Sequence, residues 1–244
     1  MNDTIRQLYG RKSVRAFEER DISAGDKAMI LEAACMAPTA GNQQLYTIID
    51  VTDQRIKDQL VDTCDHQPFI AKAKMVLIFC ADCRKWYEGF RAAGCEPRKI
   101  GAGDLLLAVS DANIAAQNAV TAAESLGIGS CYIGDIMENA EQQRELLKLP
   151  KYVFPAAMLV FGYPTKQQQE REKPARVAMQ HIVHENAYRC MDADEMQAMW
   201  EPRTGEKGYQ GWMQAFCSRK FNSDFSREMT RSVQCYLDQF IRRD

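Results

Sequence analysis

The sequence is poor in histidine, with 3 residues in 244, and has no apolar run long enough to cross a bilayer. Its charge is nearly balanced, 31 Lys and Arg against 33 Asp and Glu, so no global field favours nucleic acid. Met1-Asn2-Asp3-Thr4-Ile5-Arg6 lacks the apolar core of a secretory signal, which points to the cytoplasm. There is no GxSxG, hence no nucleophile elbow, and no GxxxxGK[ST], hence no P-loop. Gly101-Ala-Gly103 and Gly127-Ile-Gly129 look like fragments of a dinucleotide fingerprint. A strand should precede such glycines and a helix follow, and neither context is met, which excludes a Rossmann site.

Cysteine is abundant instead: nine residues, at 35, 64, 80, 83, 95, 131, 190, 217 and 235, without repeating spacing. Absent a secretory signal, a disulfide framework is not expected. Cys80-Ala-Asp-Cys83 is the single CxxC. It reads as a redox pair, half of a zinc site or buried structural thiols, and the third is preferred because Cys80 closes the apolar run 75–79. His181 and His184 share a helical spacing but have no further ligand, so no metal site is assigned.

Patterning predicts helices over 2–9, 23–36, 53–64, 105–126 and about 139–147, and strands over 46–51, 75–81, 128–133 and 156–162. The Ala-rich helix 105–126, ended by Gly127, is apolar on several sides and should be buried on both faces. Segments 84–103 and 163–176 read as irregular. Met229, Val233, Tyr236, Leu237 and Phe240 form the stripe of a last amphipathic helix. The whole reads as one α+β domain, 1–244, with 177–244 as a helical extension.

Four segments carry candidate chemistry. In Arg11-Lys-Ser-Val-Arg15-Ala-Phe17, alternation aims Arg11, Ser13 and Arg15 to one side of an extended chain. Two guanidinium forks flanking a hydroxyl suit a phosphate, although a solvated turn explains the same residues. In Pro38-Thr-Ala-Gly-Asn-Gln-Gln44, small residues let backbone amides approach a ligand, with Asn42 and Gln44 as amide partners. In Tyr132-Ile-Gly-Asp135, a buried strand ends in a glycine that exposes its backbone N–H. Lys173-Pro-Ala-Arg176 is a second cationic pair.

Together these residues resemble the FMN-dependent nitroreductase family, of the oxygen-insensitive nitroreductase and NADPH–flavin oxidoreductase type. The resemblance covers roughly residues 1–176: the basic segment, 37–44, Asp111-Ala-Asn-Ile-Ala-Ala-Gln-Asn118 with Ala123-Glu-Ser-Leu-Gly127, Cys131-Tyr-Ile-Gly-Asp135, Gly162-Tyr-Pro164 and 173–176. It implies an α/β sandwich that dimerises through the long central helix, with FMN at the subunit interface.

Carried over residue by residue, the resemblance gives Arg11, Ser13, Arg15, Lys173 and Arg176 to the phosphate and ribityl chain, with Lys12 and Pro38 counted among the cofactor-binding residues. Thr39, Ala40, Gly41 and Asn42 go to the flavin of the partner subunit. Gln67 goes to the ring's polar edge, Tyr132, Ile133 and Gly134 to its face, and the N–H of Gly134 or Asp135 near N5. Two departures stand out. Ala175 separates Pro174 from Arg176, and Asp135 replaces the family's second glycine. Asp135 either lowers the flavin potential or points to solvent, the second being preferred.

The implied activity is ping-pong hydride transfer from NADPH or NADH through FMN to a nitroaromatic, quinone or flavin, with no obligatory side-chain acid, base or nucleophile. Arg203 and Lys207 read either as a 2′-phosphate site or as a solvated turn. Trp86, Tyr87 and Phe90 read as an acceptor cap or as packing of an inserted helix. The alternative to turnover is a flavin carrier or redox sensor using Cys80 and Cys83.

Overall fold

The computed structural model describes residues 1–241. The chain divides into two compact units, one formed by residues 1–171 with the chain from Glu228 onward, the other by residues 172–227.

The first unit is built on four antiparallel strands, β1 (Tyr46–Asp50), β2 (Met75–Asp82), β3 (Gly129–Ile133) and β4 (Val153–Gly162), in the order β1-β2-β4-β3. Every residue of β2 and β4 is buried. Alternate side chains of a strand point to opposite faces, and here both faces are covered. Met75, Leu77, Phe79, Leu159 and Phe161 pack in a core with α2 (Ala24–Cys35) and α6 (Ala102–Ser125). Val76, Ile78, Cys80, Met158 and Val160 pack in a second core with Leu60 of α3 (Gln54–Thr63) and Ile70 of α4 (Phe69–Lys72). Phe79 pairs with Ala157 but Cys80 pairs with Pro155, leaving Ala156 as an extra residue. The bulge accommodates Pro155, which has no N–H to give a regular ladder, and lets β4 begin at Val153, ahead of the predicted 156.

Local signals set the helix ends. Asn2 caps α1 (Asp3–Gly10), accepting from the Ile5 N–H at 3.0 Å, and Ser23 caps α2 likewise from Asp26 at 3.0 Å. Gly127, with φ of 72°, closes α6: its N–H goes to Glu124 O, and that of Ile128 reaches back to Ala123 O at 2.9 Å. One face of α6 is lined by fully buried alanines, Ala108, Ala112, Ala115, Ala116 and Ala119. The other is not buried as predicted within this chain: Leu106, Leu107 and Ile114 are 65%, 51% and 40% exposed.

Two helices occupy segments expected to be irregular. α5 (Arg84–Ala92) starts because Asp82, at the end of β2, accepts from the N–H groups of Arg84 and Lys85 at 3.0 and 3.2 Å. α8 (Lys166–Glu170) is short and polar. α7 (Ala140–Leu146) follows Asn139, whose left-handed backbone (φ 50°) turns the chain into it.

The second unit contains α9 (Ala193–Trp200), opened by an Asp192/Glu195 capping box, and α10 (Gly208–Phe216), which runs into a π-helical turn over Cys217–Phe221. Trp200, Trp212 and Phe216 stack in series at 5.8 and 5.1 Å between ring centres. α11 (Asp224–Ile241) buries Tyr236 and Phe240 of its predicted stripe in the sheet's first core.

Candidate functional site

The basic segment is extended, as its alternation predicts. Ser13 bridges Ser130 of β3 in parallel, the Val14 N–H reaching Ser130 O at 2.9 Å, and Phe17 bridges Pro164. Two glycines make room for it: a Cβ on Gly129 would lie 2.6 Å from Val14, and one on Gly162 2.7 Å from the Phe17 ring.

Arg11, Ser13 and Arg15 converge on Cys131. Burial holds that thiol above its usual range, while hydrogen bonds from Ser13 and Arg15 and the charges of Arg15 and Arg11 pull the other way. The Arg11 guanidinium lies 6.0 Å from the Tyr132 ring centre, and its Nε and Nη2 are buried without any hydrogen-bond partner. Unpaired buried donors on a cation are costly, and a multi-oxygen anion supplies the missing acceptors. Arg15 lies 5.9 Å from the Phe69 ring centre.

Lys12 does not join them. Its ammonium donates to the carbonyls of Gln169, at 2.7 Å, and of Arg171, closing the C-terminal end of α8. Counting Lys12 among the cofactor-binding residues is therefore corrected: alternation turns it away from Arg11 and Ser13, onto α8. Arg171, which sequence analysis missed, donates from Nη2 to Ser13 O at 2.5 Å and so braces the segment. Its only signal was membership of a polar run.

Pro38 leads into the 39–44 loop, which is held by a residue that had not been singled out. Asp111 on α6, 2% exposed, accepts from the N–H of Ala40 at 2.9 Å and of Leu45 at 3.2 Å. Gly41 and Asn42 are both left-handed, with φ of 56° and 55°. The Asn42 and Gln44 side chains satisfy each other, Gln44 Nε2 donating to Asn42 Oδ1 at 2.6 Å, while Thr39 Oγ1 accepts from Gln44 N–H. Trp86 pins the loop from α5 through its indole N–H to Gln43 O at 2.6 Å. Beside Gln43 opens a cavity of 490 Å³ lined by Trp86, Tyr87, Phe90 and Leu107.

At the end of β3, Ile133 is buried and Tyr132 half-buried, its hydroxyl pushed up to about 12 by burial and directed to Gln117 at 3.4 Å. Gly134 is exposed, and a Cβ there would meet nothing within 4 Å, an open floor against which a flat ring can lie. Asp135 does not simply point to solvent, contrary to expectation: it is half-exposed, and its Oδ2 accepts from Gln67 Nε2 at 2.9 Å, the same amide nitrogen reaching Cys64 O at 3.0 Å. Lys173 and Arg176 belong to the second unit, in which Arg203 lies over Trp200 and donates to Ala175 O at 2.8 Å.

Orphaned guanidinium donors, an open glycine floor and a small-residue loop with left-handed backbone fit a phosphorylated, planar cofactor. Residues 8–163 match the nitroreductase family. The chain belongs to that family. It is 35% identical to the oxygen-insensitive NADPH nitroreductase of Salmonella typhimurium, over 84% of this chain and 82% of the other. It is 30% identical to the FMN reductase [NAD(P)H] of Bacillus subtilis, over 98% and 92%. The structure superposes on the NADPH:FMN oxidoreductase of Vibrio harveyi, solved with NAD+, with a TM-score of 0.78 at 26% identity, covering 97% of this chain and 98% of that one. This nitroreductase-family chain also has all nine cysteines free, and burial pushes the Cys80 and Cys83 thiols up to about 12.

Proposed function

We propose that this protein is an FMN-dependent NAD(P)H oxidoreductase that reduces nitroaromatics, quinones or flavins in a ping-pong cycle. The observation that carries the reading is the pair of buried, unpartnered donors on the half-buried Arg11, which shares an extended segment with Ser13 and Arg15 and lies 6.0 Å from the ring of Tyr132, two residues before the open strand end at Gly134.

Arg11, Ser13 and Arg15 bind the phosphate. Tyr132, Ile133 and Gly134 support the ring, Gly134 because it leaves room, and Gln67 stands at its polar edge through the amide it shares with Asp135. When bound, FMN supplies hydride transfer through N5, and the chain supplies orientation. Residues 38–42 reach the cofactor of a second copy. The exposed apolar residues Leu106, Leu107 and Ile114 on α6 support a homodimer, since a contiguous apolar helix face seeks a partner. Nine free thiols suit a reducing cytoplasm, and no described helix is long and apolar enough to cross a membrane. A redox-sensor role for Cys80 and Cys83 is not favoured, because thiols titrating near 12 are not poised thiolates.

The test is reconstitution with FMN followed by stopped-flow mixing with NADH and NADPH. Bleaching of the flavin, and its reoxidation by a quinone, is the expected result. A preparation that takes up no FMN, or a yellow one that neither nucleotide bleaches, sinks the proposal.

A further inference from the structure

One buried acid near the end of β3 is unused by hydride transfer. Glu138 is 4% exposed, and its Oε1 has no hydrogen-bond partner. It lies three residues after Asp135, at the end of the 3-10 turn Gly134–Met137, and the two carboxyls are within hydrogen-bonding reach. Two carboxylates at that separation repel each other, and with Glu138 buried the pair holds one proton to a higher pH than an isolated carboxyl would.

The surroundings make the same demand. Asp65 faces Glu138 from the turn after α3, and Glu228 faces it from α11. The Cys64 thiol, pushed up to about 12 chiefly by its burial, sees both Asp135 and Glu138. Arg231, on the helix that carries Glu228, is engaged by Glu141 and Glu228, each at 2.8 Å, and Arg15 lies on the other side of Asp135, 5.9 Å from the ring of Phe69. His66 pairs with Asp62 at 3.6 Å. The amide of Gln67 gives Asp135 a neutral donor. Burial first, and Asp135 second, push the Glu138 carboxyl up to about 8.

The turn is held firmly enough to preserve this arrangement. The Asn139 side chain donates to Thr63 O at 2.9 Å, its N–H to Glu228 at 3.1 Å, and the Ala140 N–H to Ser232 at 2.9 Å.

We propose that Asp135 and Glu138 share one proton beside the flavin pocket, and that losing it weakens the pocket's hold on FMN. The inference rests on the flavin reading of the site. Glu138 acts through Asp135 and is a positioning residue. With the proton shared, the pair carries one negative charge next to Gly134. Without it the pair carries two, and the added charge opposes a ligand whose phosphate is already anionic. At protein-interior distances this amounts to roughly a three- to tenfold change in affinity.

The experiment has two arms. In the first, the protonated-carboxyl infrared band of the apoprotein is titrated between pH 6 and 9. A band that disappears around pH 8 and is missing from Glu138→Gln is expected. Asp135→Asn, a half-exposed position, should move the same midpoint downward and serves if Glu138→Gln does not fold. In the second, FMN affinity is read by quenching of flavin fluorescence over the same range. The wild type is expected to lose affinity between pH 7 and 9 while Glu138→Gln stays flat. Identical infrared titrations in wild type and variant overturn the shared proton. Parallel affinity profiles overturn its effect on the pocket. A normal infrared titration with no FMN binding at any pH overturns the flavin reading, and the coupling with it.

Discussion

Val14 stands where a side chain on Gly129 would have to go: a Cβ at that position would lie 2.6 Å from Val14 Cγ2 and 2.9 Å from its Cβ. Val14 is 4% exposed and cannot swing out. Gly129→Ala must therefore push residues 11–17 off β3. Overpacking of this kind costs about 1–3 kcal/mol. The expected result is a lowered denaturant midpoint, with loss of FMN affinity at least as large as that of Arg15→Ala. Unchanged FMN affinity would detach the segment from the cofactor.

Arg15→Ala and Lys12→Ala separate the two sides of the same segment. Arg15→Ala removes a charge-assisted contact worth about 1.5–3 kcal/mol, or about ten- to a hundredfold in FMN affinity. Lys12→Ala removes a donor from the carbonyls of Gln169 and Arg171. It should leave FMN affinity within about twofold and lower stability by about 0.5–1.5 kcal/mol. Fluorescence titration and urea unfolding of both variants check this, and equal losses of affinity would refute it.

Asp111→Ala should release the 39–45 loop, because one buried carboxylate accepts from both Ala40 and Leu45. Hydrogen bonds to a charged acceptor contribute about 1.5–3 kcal/mol each. Urea unfolding should show a loss in that range or above, and limited proteolysis should find a new cleavage site within the loop. Asp111→Asn keeps one acceptor and should fall between wild type and Asp111→Ala.

Three carboxyls bend the pH–stability curve, Glu141 and Glu228 in one direction and Glu138 in the other. Hydrogen bonds from Arg231 hold Glu141 and Glu228 down to about 2, against 4.5 for an ordinary glutamate. Their contribution is present above pH 4.5 and disappears as pH falls toward 2. Glu138 is held up at about 8, mainly by burial, so stability is lost as pH rises from about 4.5 through 8. Arg231→Met should flatten the acid limb and Glu138→Gln the neutral-to-alkaline limb, as read by thermal melting across pH. A variant that flattened the opposite limb would reverse the assignment.

What the sequence made legible was local. Asn2, Ser23 and Gly127 are caps recognisable from neighbours alone, and alternation at 11, 13 and 15 was enough to predict the extended segment. Side-chain pairings across long separations were not legible. Lys12 reaches across 157 residues to Gln169 and Gln67 across 68 to Asp135, and no periodicity encodes either. α5 was missed because Asp82, whose carboxylate accepts from its first N–H groups, reads as the end of a strand. Glu138 carried one weak signal, a second acid three residues after Asp135, and only its burial gives that spacing meaning.

β3 is the last strand in the order β1-β2-β4-β3, and the chain covers its outer side with Ser13 and Val14. The segment proposed to grip the cofactor's tail thus also seals an amide edge able to recruit another chain. Displacing residues 11–17 would dismantle the anion site and bare that edge together, which makes colloidal stability a readout of the segment's seating. At equal ionic strength, light scattering should show the apoprotein staying dispersed longer in phosphate than in chloride.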